Sequence, residues 1–160
     1  MRHAVALDRE AWSEGDQSRP LTEFGWRQSL AIAEVLADRE TQVFFSSPTV
    51  RCADTLLPAA HGMGQQVQPQ VLLVESNEPT SDPETAELLR QLLAACLPEG
   101  VERAAACTHG NLLIPLLSRL GLPTRCPKGG LWRLDTDLHQ RVLGVEFLGH
   151  LSPRSKEWSR

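Results

Sequence analysis

The run Val43-Phe44-Phe45-Ser46-Ser47-Pro48-Thr49-Val50-Arg51-Cys52 changes character halfway along. Its apolar head suits a strand, because aromatic and β-branched side chains pack well on a pleated surface. Ser46-Ser47-Pro48 interrupts that strand, with Ser47 placed to cap and Pro48 to open a helix reaching roughly Ala60. The same alternation extends in both directions. Upstream, residues 21–37 carry Phe24, Leu30, Ile32, Ala33, Val35 and Leu36 at helical spacing behind a Thr22 cap. Downstream, residues 67–74 read as a strand, 82–97 as a helix with Pro83 in its first turn, 103–107 as a strand, and 111–120 as a helix bounded by Gly121 and Pro123. Residues 131–134 and 142–147 read as closing strands. Strands alternating with helices predict an α/β fold, a three-layer α/β/α sandwich with a mostly parallel central sheet. In such sheets ligands sit beyond the carboxyl ends of the strands.

With 160 residues, 41% of them hydrophobic, the chain suits a single domain over 1–160 with a sizeable core. A net charge of -4 disfavours a nucleic-acid partner, since phosphate backbones are gripped by clustered Lys and Arg. The four cysteines form no CxxC pair and fit the reduced thiols of a cytoplasmic protein. Cys107 and His109 lack the second pair that a tetrahedral metal site needs. No apolar run approaches the roughly 20 residues of a membrane span, and the first residues do not form a signal peptide. The absence of a Rossmann glycine fingerprint and of a Walker A loop disfavours a nucleotide-binding dehydrogenase.

Three of the predicted turns carry residues suited to phosphate: Arg2-His3, Arg51 on the helix after Ser46-Ser47-Pro48, and Thr108-His109-Gly110 after a late strand. A transferring phosphoryl group spreads charge over its equatorial oxygens, which fixed cationic donors must meet. Arg supplies a planar, permanently charged fork for that purpose. A histidine with a pKa near roughly 6.5 offers an unprotonated nitrogen as nucleophile at neutral pH.

Arg2-His3-Ala4, then Arg19-Pro20-Leu21-Thr22 with Gly25 and Gln28, then Ser46-Ser47-Pro48-Thr49-Val50-Arg51-Cys52 with Thr55, then Thr108-His109-Gly110-Asn111 resemble the histidine phosphatase superfamily in order and spacing. Within it the nearest likenesses are the short bacterial phosphohistidine phosphatases and the phosphatase domain attached to some bacterial Nudix hydrolases. The resemblance implies His3 as nucleophile, Arg2, Arg51 and His109 as the donors around the phosphoryl group, and Arg19 lining the pocket. It also implies a carboxylic acid between Arg51 and His109. Glu75 is the choice, with Glu78, Asp82 and Glu84 following closely. No metal or cofactor is demanded. The expected activity is metal-independent hydrolysis of a phosphomonoester or phosphohistidine through a phosphohistidine intermediate. Its partner is a phosphorylated small molecule or a phosphohistidine protein, with no nucleic acid and no membrane. The alternative is a non-catalytic module that binds a phospho-ligand.

The interval from Arg51 to Glu75 leaves no room for the long insertion of phosphoglycerate mutases, which favours an open, hydrolytic site. Relatives carry an apolar strand before the Arg-His pair, whereas only Met1 stands there. The expectation is that the functional protein begins upstream, and that restoring about five apolar residues would raise stability and turnover.

Overall fold

The computed structural model describes residues 1–75, 81–152 and 158–159. Helix α1 (Glu23–Ala37) starts where Thr22 accepts the Gly25 N–H on its side chain. Strand β1 (Val43–Ser46) leads into α2 (Val50–Gly62), followed by β2 (Val67–Pro69). Helix α3 (Asp82–Cys96) opens with a reciprocal capping box between Ser81 and Glu84. Strand β3 (Ala104–Cys107) feeds α4 (Gly110–Arg119), and β4 (Leu131–Thr136), β5 (Val142–Leu151) and β6 (Trp158–Ser159) follow. Among the described residues no helix is long and apolar enough to cross a membrane.

Strands β2, β1 and β3 form a parallel sheet in that order. Successive side chains of a strand point to opposite faces, so Phe44 and Phe45 enter different cores. Phe44 packs with Ile32 and Leu36 of α1 and Leu56 and Ala59 of α2. Phe45 packs with Leu92 and Cys96 of α3 and Leu112 and Leu116 of α4. Helices therefore cover both faces, the three layers read from the sequence. The closing strands differ from a parallel continuation: β4, β5 and β6 form a separate antiparallel sheet, joined to the first core through Leu131 and Leu148.

Two further departures have local causes. The strand read over residues 67–74 stops at Pro69, because Gln70 accepts the Leu72 N–H on its side chain and turns Val71–Leu73 into a 3-10 helix. Ser47 does not cap α2; Thr49 holds that position without a side-chain bond.

The segment before Ala4 is short but firmly paired. Arg2 bridges Thr108 in parallel register, extending the sheet beyond β3. The His3 N–H donates to the Thr108 carbonyl at 2.9 Å and the Thr108 N–H to the Met1 carbonyl at 3.0 Å. On the other side, the Arg2 N–H reaches Gly130 O at 3.0 Å and the Gly129 N–H reaches His3 O at 2.9 Å. His3 thus sits at the carboxyl end of the sheet with both backbone groups engaged, rather than at a loose terminus.

Candidate active site

Beyond the carboxyl ends of β1, β3 and the Met1 to His3 segment lies a cavity of about 460 Å³, lined by Arg2, His3, Arg19, Arg51, Glu75 and Lys128 among others. His109 stands directly behind it, its ring 5.5 Å from that of His3 in an edge-on arrangement. All six residues singled out from the sequence, Arg2, His3, Arg19, Arg51, Glu75 and His109, therefore converge on one place.

His3 Nδ1 lies 2.7 Å from the Ala4 carbonyl. A carbonyl can only accept, so the proton is on Nδ1 and the free lone pair on Nε2. Burial, then partial opposition from the Ala4 hydrogen bond, and then repulsion by Arg51, His109 and Arg2 bring the imidazole down to about 3. The ring is an uncharged base throughout the neutral range. Its backbone is further fixed by the Ala4 N–H donating to Thr55 Oγ1 at 2.9 Å, while Thr55 itself donates to Arg51 O at 2.6 Å.

Arg51 is only 1% exposed. One terminal nitrogen donates to the Asp16 carbonyl at 2.6 Å, and the other faces Asp16 Oδ2 at 2.9 Å, Glu75 Oε2 at 3.2 Å and His109 Nδ1 at 3.3 Å. Because a guanidinium only donates, Nδ1 of His109 accepts and its ring proton sits on Nε2, directed at Ser47 Oγ 2.9 Å away. Ser47 therefore positions His109 instead of capping a helix. Arg2 donates to the Cys126 carbonyl and lies across the start of α4, where a Cβ on Gly110 would come within 2.9 Å of its guanidinium carbon. The Nε groups of Arg2 and Arg51 are buried without a protein acceptor among the described residues. Two buried donors left without an acceptor on arginines that line one basic cavity suit an anion.

Arg19 both lines the cavity and pairs with a carboxylate, donating to Asp16 Oδ1 at 2.9 Å and to the Leu7 carbonyl at 2.7 Å. Asp16 was not singled out as a site residue in the sequence. Its carboxylate gathers Arg9, Arg19 and Arg51. Partial burial pushes its carboxyl up, but Arg51 and the bonds from Arg19 and Arg9 outweigh that and hold it below the ordinary range. Nothing in its local sequence marks this role, which arises from a contact across 35 residues.

Glu75 follows the 3-10 turn, which Thr108 secures by donating its hydroxyl to the Leu73 carbonyl at 2.6 Å. Its Oε2 stands 3.7 Å from His109 Nδ1 and 4.0 Å from Arg9. Of the alternatives, Asp82 pairs with Arg119 at 2.6 Å and Glu84 closes the α3 capping box, so both are spent on structure. Glu78 lies outside the described residues. Cys52 and Cys107 are free thiols buried beneath the site, with Cys52 Sγ 3.6 Å from His109 Nε2.

The histidine phosphatase superfamily (branch 1) profile matches residues 1–95, more than half the chain. The chain belongs to this superfamily. No curated protein matches it in sequence. Among solved structures it is similar to the protein histidine phosphatase SixA complexed with tungstate, at 21% identity and TM-score 0.69 over 96% of this chain and 94% of that one. A putative phosphohistidine phosphatase SixA from Agrobacterium tumefaciens gives 22% identity and TM-score 0.64, covering 95% and 94%. A mycobacterial glucosyl-3-phosphoglycerate phosphatase complexed with VO3 gives 19% and 0.65, covering 92% and 94%. At these identities the likeness establishes a shared fold.

Proposed function

We propose that the protein hydrolyses a phosphorylated substrate, a phosphomonoester or a phosphohistidine, through a phosphohistidine formed on His3. The observation that carries this reading is the fixed tautomer: the Ala4 carbonyl holds the His3 proton on Nδ1 while burial keeps the ring uncharged, leaving Nε2 as a nucleophile. The lone pair of Nε2 forms a bond to phosphorus as the bond from phosphorus to the leaving group breaks. Arg2 and Arg51 meet the equatorial oxygens, with Arg19 behind them. His109, with its Nδ1 3.3 Å from Arg51, stands behind the same oxygens.

Glu75 is the acid for an oxygen leaving group. In the resting site its oxygen is 3.2 Å from Arg51. Glu75 then gives its proton to the departing oxygen and recovers one from the water that cleaves the phosphorus–nitrogen bond. Every charge and proton in both steps is met by side chains of this chain, so the reading calls on no metal.

The test is trapping with labelled phosphomonoester followed by mild acid, which releases phosphate from histidine. The parent is expected to acquire acid-labile label at His3, and His3→Ala to lose both the label and turnover. Label at another residue, with His3→Ala still active, would overturn the nucleophile. Binding without turnover would instead assign a phospho-ligand binding module.

A further inference from the structure

The cavity is larger than a phosphoryl group needs. Four heavy atoms at the ~30 Å³ of a water-sized group occupy roughly 120 Å³, against about 460 Å³ in this open cavity. Its wall also includes Asp8, Arg9 and Lys128. Most of the cations along this wall already have partners. Arg51 faces Asp16 and Glu75, Arg19 is held by Asp16, and Arg9 shares the same carboxylate. Arg2 belongs with the phosphoryl group. Lys128 remains, and among the described residues no carboxylate forms an ion pair with it.

Its backbone, by contrast, is rigidly placed. The Lys128 carbonyl accepts from Gln28 Nε2 at 3.0 Å, and the next residue donates its N–H to His3 O at 2.9 Å. Gln28 is itself 1% exposed and accepts the Val5 N–H at 2.9 Å. The base of the lysine is thus tied directly to the residue read as nucleophile, while its ammonium is free to meet a ligand. Partial burial, then the charges of Arg2 and Arg19, pull its pKa down, with Asp8 opposing, as befits a group facing the same basic cavity.

We propose that Lys128 is a specificity residue that receives a second anionic group on the substrate. The preferred substrate is then a small phosphomonoester carrying a carboxylate or another phosphate a few bonds from the phosphoryl group that is transferred. This rests on the phosphatase reading of the cavity and narrows it toward small molecules. A cation without an ion-pair partner among the described residues, carried on a backbone tied to the reaction centre, gains from an anion within its reach through a charge-assisted hydrogen bond.

The experiment compares kcat/KM for phosphoglycolate with that for ethyl phosphate, which lacks the second anion, in the parent, Lys128→Gln and Lys128→Arg. The parent is expected to prefer phosphoglycolate. Lys128→Gln should cut that preference about tenfold, mainly through KM, and Lys128→Arg should keep most of it. A parent without preference, or a preference that survives Lys128→Gln, would overturn the proposal. If the parent turns over neither substrate, the small-phosphomonoester branch of the phosphatase reading fails, and calorimetric binding of phosphoglycolate still decides the role of Lys128. Binding weakened about tenfold in Lys128→Gln upholds it, and unchanged binding overturns it.

Discussion

Glu75 is the residue on which the leaving-group chemistry of the proposed reaction turns. It faces Arg51 at 3.2 Å in the resting site and is the proposed donor when the leaving oxygen departs. General-acid assistance matters most for a strongly basic leaving group. Glu75→Gln is therefore expected to slow hydrolysis of alkyl phosphates by about a hundredfold while affecting p-nitrophenyl phosphate far less. Equal losses on the two substrates, measured under the same conditions, would reassign Glu75 to holding Arg51. At this scale the sequence is legible where a side chain acts from its own strand end, as with Arg2, His3, Arg51 and His109. It is not legible where the role is created by a partner far along the chain. Asp16 earns its place by meeting Arg51, Ser47 by meeting His109, and Lys128 through a backbone bond from Gln28, 100 residues away.

Elements carry a second constraint, the packing of α1 against the segment that holds His3. Gly25, on the buried side of α1, lies so close to residues 3–6 that a Cβ there would fall 2.0 Å from the Val5 carbonyl oxygen. That oxygen also accepts from Thr22 through its N–H at 2.9 Å and its hydroxyl at 3.0 Å. Gly25→Ala must push α1 away from the segment or break those bonds. Misplacing an attacking atom by about an ångström can cost about a hundredfold in rate. Turnover of Gly25→Ala is expected to fall by about that factor, with a lowered Tm by calorimetry. Parent-like turnover would show that α1 does not hold His3 in place. Periodicity revealed that α1 exists and that Thr22 caps it, because both signals are local. Where it erred, at Val71–Leu73 and at Ser47, a side chain had redirected the backbone or been recruited by another element, and neither pattern shows in a hydrophobic run. The antiparallel pairing of β4 with β5 is likewise a matter of partner choice, which apolar runs alone do not specify.

The molecule as a whole holds its two sheets apart along part of their length. Between β3 and β4 runs a cleft of about 570 Å³, lined by Met1, Leu36, Ala105, Leu131 and Leu148 among others. Met1 closes one end, its amino group buried and donating to the Ala106 carbonyl at 2.8 Å. Desolvation brings that amino group below its ordinary value of 8.0, only partly offset by the surrounding thiols. A group with a depressed folded pKa holds its proton more tightly in the unfolded chain, so stability is lost as pH falls below about 8. The buried His3, brought down to about 3, adds a second loss of the same sign as pH drops below its unfolded value of 6.5. Tm is therefore expected to fall steadily from pH 8 to pH 5. The cleft suggests how to separate the two contributions. A chain extended ahead of Met1 by about five Val- and Leu-rich residues, an ordinary strand length, can run parallel to β3 into the apolar space. Each large side chain so buried contributes about 1.5–3 kcal/mol. Tm should rise by at least about 5 °C. The extension also replaces the buried amino group with an amide that still donates to Ala106. The part of the pH dependence near 8 should then disappear, while the part belonging to His3 below 6.5 remains. Turnover should stay near that of the parent, against the expectation from the sequence, because His3 is already held by Thr108 on one side and Gly129 on the other. An extended chain with the Tm and pH profile of the parent would show that the cleft does not accept a strand.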